Sequence, residues 1–391
     1  MNHVTILGAT GSIGQSTLDI VLRHPDRYSV YALTANTNVD KMARLCQAFK
    51  PRFAVMSDAA SAQKLKHELG SVATEVLAGE ASLAQVAAAG MVDTVVAAIV
   101  GSVGLMPTLA AVKASKRVLL ANKESLVMAG AIFMDEVRRC GAELLPVDSE
   151  HNAIFQCLPG GSVEQGLVDK GVQKITLTGS GGPFRDLDLN CFDDVTPEQA
   201  CAHPNWDMGP KISVDSATMM NKGLEMIEAC WLFSVDQADI DIVLHRQSII
   251  HSMVSYSDGS VIAQMGNPDM RTPIANALAW PDRIESGVEP LDLMQVGRLD
   301  FALADEARYP CLALAREAWH RGGTSMAILN AANEIAVESF LNRMIKFTDI
   351  AKLTSKALEH STTEPAENLE VVLDADRCAR EYTRQLIKSG A

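Results

Sequence analysis

Paired cysteines are absent from this 391-residue chain. Its eight cysteines (Cys46, Cys140, Cys157, Cys191, Cys201, Cys230, Cys311 and Cys378) form no C-x-x-C pair. That excludes a zinc knuckle or a dithiol redox centre, and scattered thiols in a long chain suit a reducing cytoplasm. Positive charge is also scarce: 34 Lys and Arg stand against 48 Asp and Glu, a formal net charge of −14. The deficit argues against nucleic acid or an anionic membrane as partner, although a few placed cations would still admit an anionic small molecule. Long apolar runs are missing too. The longest uncharged stretch, Thr94 to Val112, is interrupted by Gly101, Gly104 and Pro107, so it reads as strand–loop–helix rather than a membrane span. Met1 leads directly into a strand-like Val4–Leu7, without the regions of a signal peptide.

What is present is ordinary globular composition, 48% hydrophobic, in a chain long enough for two or three cores. The expected class is α/β. Residues 1–148 alternate strand-like segments (Val4–Leu7, Ser29–Leu33, Phe53–Val55, Thr94–Ala97, Arg117–Leu120, Glu143–Val147) with helical ones (Ser16–Leu22, Val39–Phe49, Ala59–Leu69), which predicts a Rossmann-like, doubly wound parallel sheet. Residues 149–280 read as an α+β catalytic domain. Their strands are Lys174–Thr178, Asp241–Leu244 and Ser260–Met265, with a turn at Asp258-Gly259 and a helix over Met219–Leu232. Residues 281–304, with Pro281, Pro290 and weak periodicity, read as a linker. Residues 305–391 predict a C-terminal helical bundle, with helices at Ser325–Asn342, Thr348–His360 and Asp374–Lys388.

Gly8-Ala-Thr-Gly11-Ser-Ile-Gly14 follows the first strand and precedes a helix. Glycine removes the Cβ that would block a pyrophosphate, and a helix N-terminus offers N–H donors. The second strand ends at Asn36-Thr37-Asn38, where an NAD site carries an acidic residue for the ribose. Its absence leans toward NADP. Lys123, in Asn122-Lys123-Glu124, follows another strand and is placed to reach cofactor and substrate, or to be a surface lysine.

Two polar segments share one chemistry. Asp148-Ser149-Glu150 follows an apolar run; if extended, Asp148 and Glu150 point to the same side, and otherwise Asp148 or Ser149 caps a helix. In Ser216-Ala-Thr-Met-Met-Asn221-Lys222-Gly-Leu-Glu225, a helix would place Asn221 and Lys222 four and three residues before Glu225, on one face. Carboxylate oxygens suit Mg²⁺ or Mn²⁺, and a hydroxyl–amide–ammonium set suits phosphate. Gly179-Ser180-Gly-Gly-Pro183 offers an anion loop, and His203-Pro-Asn-Trp206-Asp-Met208-Gly209 has the makings of a mobile flap. His151 and His245 read as structural or surface groups.

These motifs, with Leu177-Thr-Gly-Ser-Gly-Gly-Pro183 and Ser213-Val-Asp preceding Ser216, resemble the 1-deoxy-D-xylulose 5-phosphate reductoisomerase family over essentially the whole chain. The resemblance implies a homodimeric enzyme of the non-mevalonate isoprenoid pathway. It would use NADPH and Mg²⁺ or Mn²⁺, with Co²⁺ a further option, to form 2-C-methyl-D-erythritol 4-phosphate. By that resemblance Asp148, Glu150 and Glu225 hold the metal, and Ser180, Ser216, Asn221 and Lys222 hold the phosphate. Lys123 and Ser149 approach the reacting part of the substrate; His203, Trp206 and Met208 form the flap, His203 also with a catalytic part. Thr10, Gly11, Ser12, Ile13, Asn36, Thr37, Asn38, Asn122, Glu124 and Gly209 line the cofactor. Many members carry Gly-Lys-Asn where this chain has Asn36-Thr37-Asn38, so one cation is missing. Two rival readings are a dehydrogenase of the aspartate-semialdehyde type, which needs a nucleophilic cysteine, and a non-enzymatic NADP sensor, which has no use for three carboxylates.

Overall fold

A computed structural model describes residues 1–70, 72–161, 167, 170–206 and 208–390. The chain forms two compact units. The first comprises residues 1–125, 133–152 and 269–289; the second comprises 126–132, 153–268 and 290–391.

The first unit carries seven strands: β1 (Asn2–Leu7), β2 (Tyr28–Ala35), β3 (Phe53–Met56), β4 (Glu75–Ala78), β5 (Thr94–Ala97), β6 (Arg117–Leu120) and β7 (Glu143–Pro146). Every pairing is parallel, in the order β4-β3-β2-β1-β5-β6-β7. The central strands are buried apolar runs, with Val4, Ile6, Leu33, Val95, Val96 and Leu119 at 0% exposure, as parallel strands covered on both faces require. Between the strands run α1 (Ser12–Arg23), α2 (Val39–Phe49), α3 (Ala59–Leu69), α4 (Glu80–Ala87) and α5 (Leu105–Lys113), and α6 (Lys123–Cys140) and α7 (Ser149–Cys157) begin in this unit. Strand order reverses between β1 and β5, and in open α/β sheets ligands bind at the carboxyl ends of the strands beside that reversal.

β4 escapes the sequence reading because it is a four-residue edge strand with Glu75 and Ala78 exposed. The chain also returns to this unit late. α11 (Arg271–Ala279) is tied to α1 by Arg271 Nη1 and Asp19 at 3.2 Å, and Arg27 reaches Asp282 at 3.0 Å.

The second unit holds a mixed five-stranded sheet, β11-β10-β8-β9-β12, from β8 (Val172–Gly179), β9 (Ile240–Leu244), β10 (Ile250–Tyr256), β11 (Val261–Met265) and β12 (Ala302–Leu303). β8 and β9 pair in parallel, and the β8–β10, β10–β11 and β9–β12 pairings are antiparallel. The turn at Asp258-Gly259 joins β10 and β11: Gly259 has φ +86° and Ser260 donates to Asp258. Its helices are α8 (Pro197–Cys201), α9 (Pro210–Thr218), α10 (Met220–Phe233), α12 (Leu293–Val296), α13 (Pro310–Arg321), α14 (Ser325–Leu341), α15 (Asp349–His360) and α16 (Leu369–Ser389). Within this unit α12 and β12 fall in the 281–304 stretch read as a linker, and β12 pairs with β9.

An aromatic cluster of Phe184, Phe192, Phe340 and Phe347 anchors α14 beneath the loop after β8, with ring centroids 5.3 to 6.2 Å apart. Arg380 on α16 bridges Glu334 at 2.6 Å and Asp376 at 2.7 Å. Among the described residues no helix is long and apolar enough to cross a membrane.

Candidate functional site

The turn after β1 is built from backbone. Gly8 sits at φ +87°, and a Cβ there would lie 2.6 Å from the Ala98 carbonyl that follows β5. Only glycine fits where the two loops at the strand reversal meet. Thr34 at the end of β2 holds the turn by accepting from Gly8 N–H at 2.9 Å. Gly11 precedes α1 and offers no side-chain cap. The turn therefore presents the first N–H groups of α1, at Ser12 and Ile13, to an anion. Thr10 is half-buried beside them.

Asn36, Thr37 and Asn38 are exposed at the end of β2. Asn38 caps α2, its Oδ1 accepting from Lys41 N–H at 3.1 Å, so its carbonyl is committed to the helix. Lys41, in the first turn of α2, reaches back to the Thr10 carbonyl at 2.9 Å. This cation went unread in the sequence; its place one turn into the helix after the polar loop is the signal that would have found it. Asn122 also caps a helix: its Oδ1 accepts from Ser125 N–H at 2.8 Å, and its amide holds the loop after β5 through Gly101 O at 2.9 Å. Glu124 is buried beside it in the first turn of α6.

Lys123, 5% exposed, places its ammonium 2.5 Å from Asp148 Oδ2. Here the extended reading of Asp148-Ser149-Glu150 gives way to its alternative. α7 starts at Ser149, Asn152 N–H donates to the Asp148 carbonyl at 2.8 Å, and Ser149 N–H donates to Asp148 Oδ1 at 3.0 Å. The two carboxylates stand at the opening of a helix, where its dipole favours negative charge, rather than on alternate positions of a strand. Ser149 Oγ donates to Glu150 Oε2 at 2.5 Å. Burial pushes the Asp148 carboxyl up, but the Lys123 ammonium and His151, whose Nδ1 is 3.7 Å away, outweigh it and hold it well below the usual carboxylate range. His151 is fully buried, as a structural histidine would be, and so is His245, whose Nδ1 pairs with the Asp300 carbonyl at 2.9 Å.

In the second unit β8 ends at Gly179 and the chain turns through Ser180-Gly181-Gly182. Gly182 has φ +67°, and a Cβ there would lie 2.8 Å from the Ser216 carbonyl. The loop thus passes directly against the end of α9, which carries Ser216. The helix expected over Met219–Leu232 is α10, which starts one residue later; α9, which carries Ser216, is a separate helix, and Met219 adopts φ +59° between the two. The break places Asn221 and Lys222 in the first turn of α10, where a following glycine costs less than in a helix interior. Asn221 Nδ2 and Lys222 Nζ both donate to Glu225, one to each carboxylate oxygen. Glu225 is fully buried, and a Cβ on Gly179 would lie 3.1 Å from Lys222 Cε. Gly179, Lys222 and Glu225 are thereby neighbours. Glu228, also fully buried, lies one turn further along α10; sequence reasoning passed over it, although its i+3 spacing from Glu225 was visible.

Asp215, next to Ser216, is held by Asn333 at 2.8 Å and Lys211 at 2.9 Å. In the expected flap, His203 pairs with Ser180 Oγ at 2.8 Å, and the Trp206 ring packs 6.0 Å from His251. Asn205 anchors the segment to Arg246 O and Ser248 Oγ, each at 2.7 Å. Met208 is half-buried, and Gly209 opens α9 with open space around its Cα. Position 207 of this segment lies outside the described residues.

No buried thiol is prepared as a nucleophile. Burial pushes Cys46 and Cys311 up to about 12 and Cys157 up to about 11, and raises Cys230 as well. This weighs against the cysteine-dependent dehydrogenase.

Three family models match: 1-deoxy-D-xylulose 5-phosphate reductoisomerase over residues 4–130, its C-terminal domain over 144–233, and the DXP reductoisomerase C-terminal domain over 265–382. Curated relatives carry the name 1-deoxy-D-xylulose 5-phosphate reductoisomerase. That of Stutzerimonas stutzeri is 62% identical over 98% of this chain and 97% of its own length, and that of Pseudomonas putida is 59% identical over 99% and 98%. Among solved structures, a DOX-P reductoisomerase in complex with NADPH, fosmidomycin and magnesium is 46% identical. It covers 99% of this chain and 98% of its own, with a TM-score of 0.95. The Zymomonas mobilis enzyme in complex with NADPH is 48% identical over the same shares, with a TM-score of 0.91.

Proposed function

The chain belongs to the 1-deoxy-D-xylulose 5-phosphate reductoisomerase family, and from that membership we propose how its residues divide the work. The reaction is the rearrangement and reduction of 1-deoxy-D-xylulose 5-phosphate to 2-C-methyl-D-erythritol 4-phosphate in isoprenoid precursor synthesis, with NADPH and a divalent metal. Asp148, Glu150 and Glu225 are the metal ligands. The donors fit a hard cation such as Mg²⁺ or Mn²⁺, with Co²⁺ a further option: all are carboxylate oxygens, and Asp148 stays ionised. When bound, the ion supplies a Lewis acid that polarises the carbonyl and adjacent hydroxyl of the substrate. NADPH supplies the hydride.

The protein's own groups bind and orient. Ser180, Ser216, Asn221 and Lys222 take the phosphate. Lys222 and Asn221, in the first turn of α10, already donate to Glu225 in its second, so the phosphate and metal groups adjoin at the opening of α10, and this contact is the observation that carries the reading. Lys123 holds Asp148 and, with Ser149, meets the reacting end of the substrate. His203, Trp206 and Met208 close over it and exclude water. Thr10 to Ile13 receive the pyrophosphate of the cofactor; Asn36, Thr37, Asn38, Asn122, Glu124 and Gly209 line its remainder. Lys41 supplies the cation for the 2′-phosphate that the 36–38 loop lacks.

Residues 1–148 are thus mainly the NADPH-binding part, with Lys123 and Asp148 contributed to substrate and metal, and residues 149–280 carry the other metal and substrate groups, with Gly209 on the cofactor. The 281–304 segment leads to supporting helices over 305–391. A cytoplasmic homodimer is the proposed setting; the unpaired cysteines support the compartment, and light scattering would measure the assembly. The functional test is NADPH oxidation on adding 1-deoxy-D-xylulose 5-phosphate with Mg²⁺, then with excess chelator. Chelator-sensitive oxidation is expected. NADPH binding without oxidation would favour the non-enzymatic sensor.

A further inference from the structure

His203 is engaged at both ring nitrogens. Nδ1 accepts from the backbone N–H of Asn205 at 3.2 Å and of Trp206 at 3.0 Å. A nitrogen that accepts N–H donors carries no hydrogen, so the neutral ring holds its proton on Nε2. Nε2 lies 2.8 Å from Ser180 Oγ and therefore donates to it. The same Oγ accepts from Gly182 N–H at 3.1 Å. A hydroxyl has two acceptor positions and one hydrogen. With both positions filled by donors, the Ser180 hydrogen is directed outward, to an acceptor.

We propose that His203 is a positioning residue. The backbone of the 203–206 segment fixes it as the Nε2–H tautomer, and through that proton it makes Ser180 a hydrogen-bond donor to a phosphate oxygen of the substrate. The inference rests on the assignment of Ser180 to the phosphate. It adds a coupling between the loop and that site. With the loop in place, Nδ1 is kept as an acceptor and Ser180 is kept as a donor. With the loop displaced, the ring can place its proton on either nitrogen and Ser180 can turn its hydrogen to Nε2, where it no longer serves an anion.

Two variants separate the roles of the ring nitrogens. His203→Asn keeps an acceptor near the backbone N–H groups but cannot reach Ser180. His203→Gln places an amide N–H near the Nε2 position. Ser180→Ala and His203→Asn are each expected to raise KM for 1-deoxy-D-xylulose 5-phosphate about tenfold or more, with kcat changed less. The double variant should be no worse than Ser180→Ala alone, and His203→Gln should recover part of the KM. In long-range ¹H–¹⁵N spectra of histidine-labelled protein, with the signal identified by its loss in His203→Gln, Nδ1 should be unprotonated and Nε2 protonated. An Nδ1–H tautomer, or additive effects of Ser180→Ala and His203→Asn, would overturn the inference while leaving the phosphate site intact. An unchanged KM in Ser180→Ala would overturn the phosphate assignment itself, and the inference with it.

Discussion

The turn after β1 and the opening of α10 are both proposed as anion sites, yet they are built from opposite materials. The first relies on backbone: Gly8 at positive φ against the Ala98 carbonyl, uncapped N–H groups of α1, and a single ammonium from Lys41. The second relies on side chains in mutual contact, with Asn221 and Lys222 on Glu225, Gly179 against Lys222, and His203 on Ser180. A backbone site tolerates changes in most of its side chains but not in its glycines. A side-chain site should respond sharply to the loss of any one partner, because each removal leaves a buried group without its counterpart.

Lys222→Ala tests that sharpness. It should raise KM for the phosphorylated substrate on the order of 10- to 100-fold, with NADPH affinity near wild type; steady-state kinetics and a fluorescence titration of NADPH check it, and a defect confined to NADPH would break the comparison. Gly8→Ala tests the other side. Its Cβ would meet the Ala98 carbonyl at 2.6 Å, so a loss of about 1–3 kcal/mol in stability is expected, together with weakened NADPH binding. Urea unfolding with and without NADPH measures both, and an unaltered midpoint would contradict the close approach. Lys41→Ala should weaken NADPH about tenfold while leaving NADH affinity unchanged; equal losses for both cofactors would remove Lys41 from the 2′-phosphate. The smallest effect concerns neither site. At pH 8 a thiol reagent should leave Cys46, Cys157 and Cys311 unlabelled, because burial holds them near 11 to 12, and it should leave turnover intact. Inactivation prevented by substrate would revive the cysteine-dependent reading.

The same contrast explains what was legible in the sequence. The nucleotide turn could be read because glycine spacing and strand–helix alternation are local. Thr94–Ala97 and Val39–Phe49 coincide with β5 and α2 to the residue, since apolar runs and an Asn cap mark them. The helical pattern reaching Glu225 was visible as i+3 and i+4 spacing. The separate helix α9 before it was not, because the left-handed methionine at 219 that divides the two helices carries no compositional signal. The start of α7 at Ser149 was legible as the cap reading of Asp148 or Ser149, which the sequence favours over an extended segment. The return of 269–289 to the first unit rests on ion pairs such as Arg271–Asp19, whose partners stand far apart in the chain. Lys41, whose partner is the Thr10 carbonyl, shares that difficulty. An ordinary charged residue on a helix becomes a site residue only when tertiary structure shows what it faces.

The central claim is that metal chemistry and cofactor binding reside on different residues. Glu225→Gln tests it most directly: turnover is measured across a Mg²⁺ titration while NADPH binding is followed separately. The expected result is turnover reduced on the order of 100-fold or more, a raised Mg²⁺ requirement, and NADPH affinity close to wild type. Unchanged turnover at low Mg²⁺, or lost NADPH binding with the Mg²⁺ requirement intact, would contradict the account.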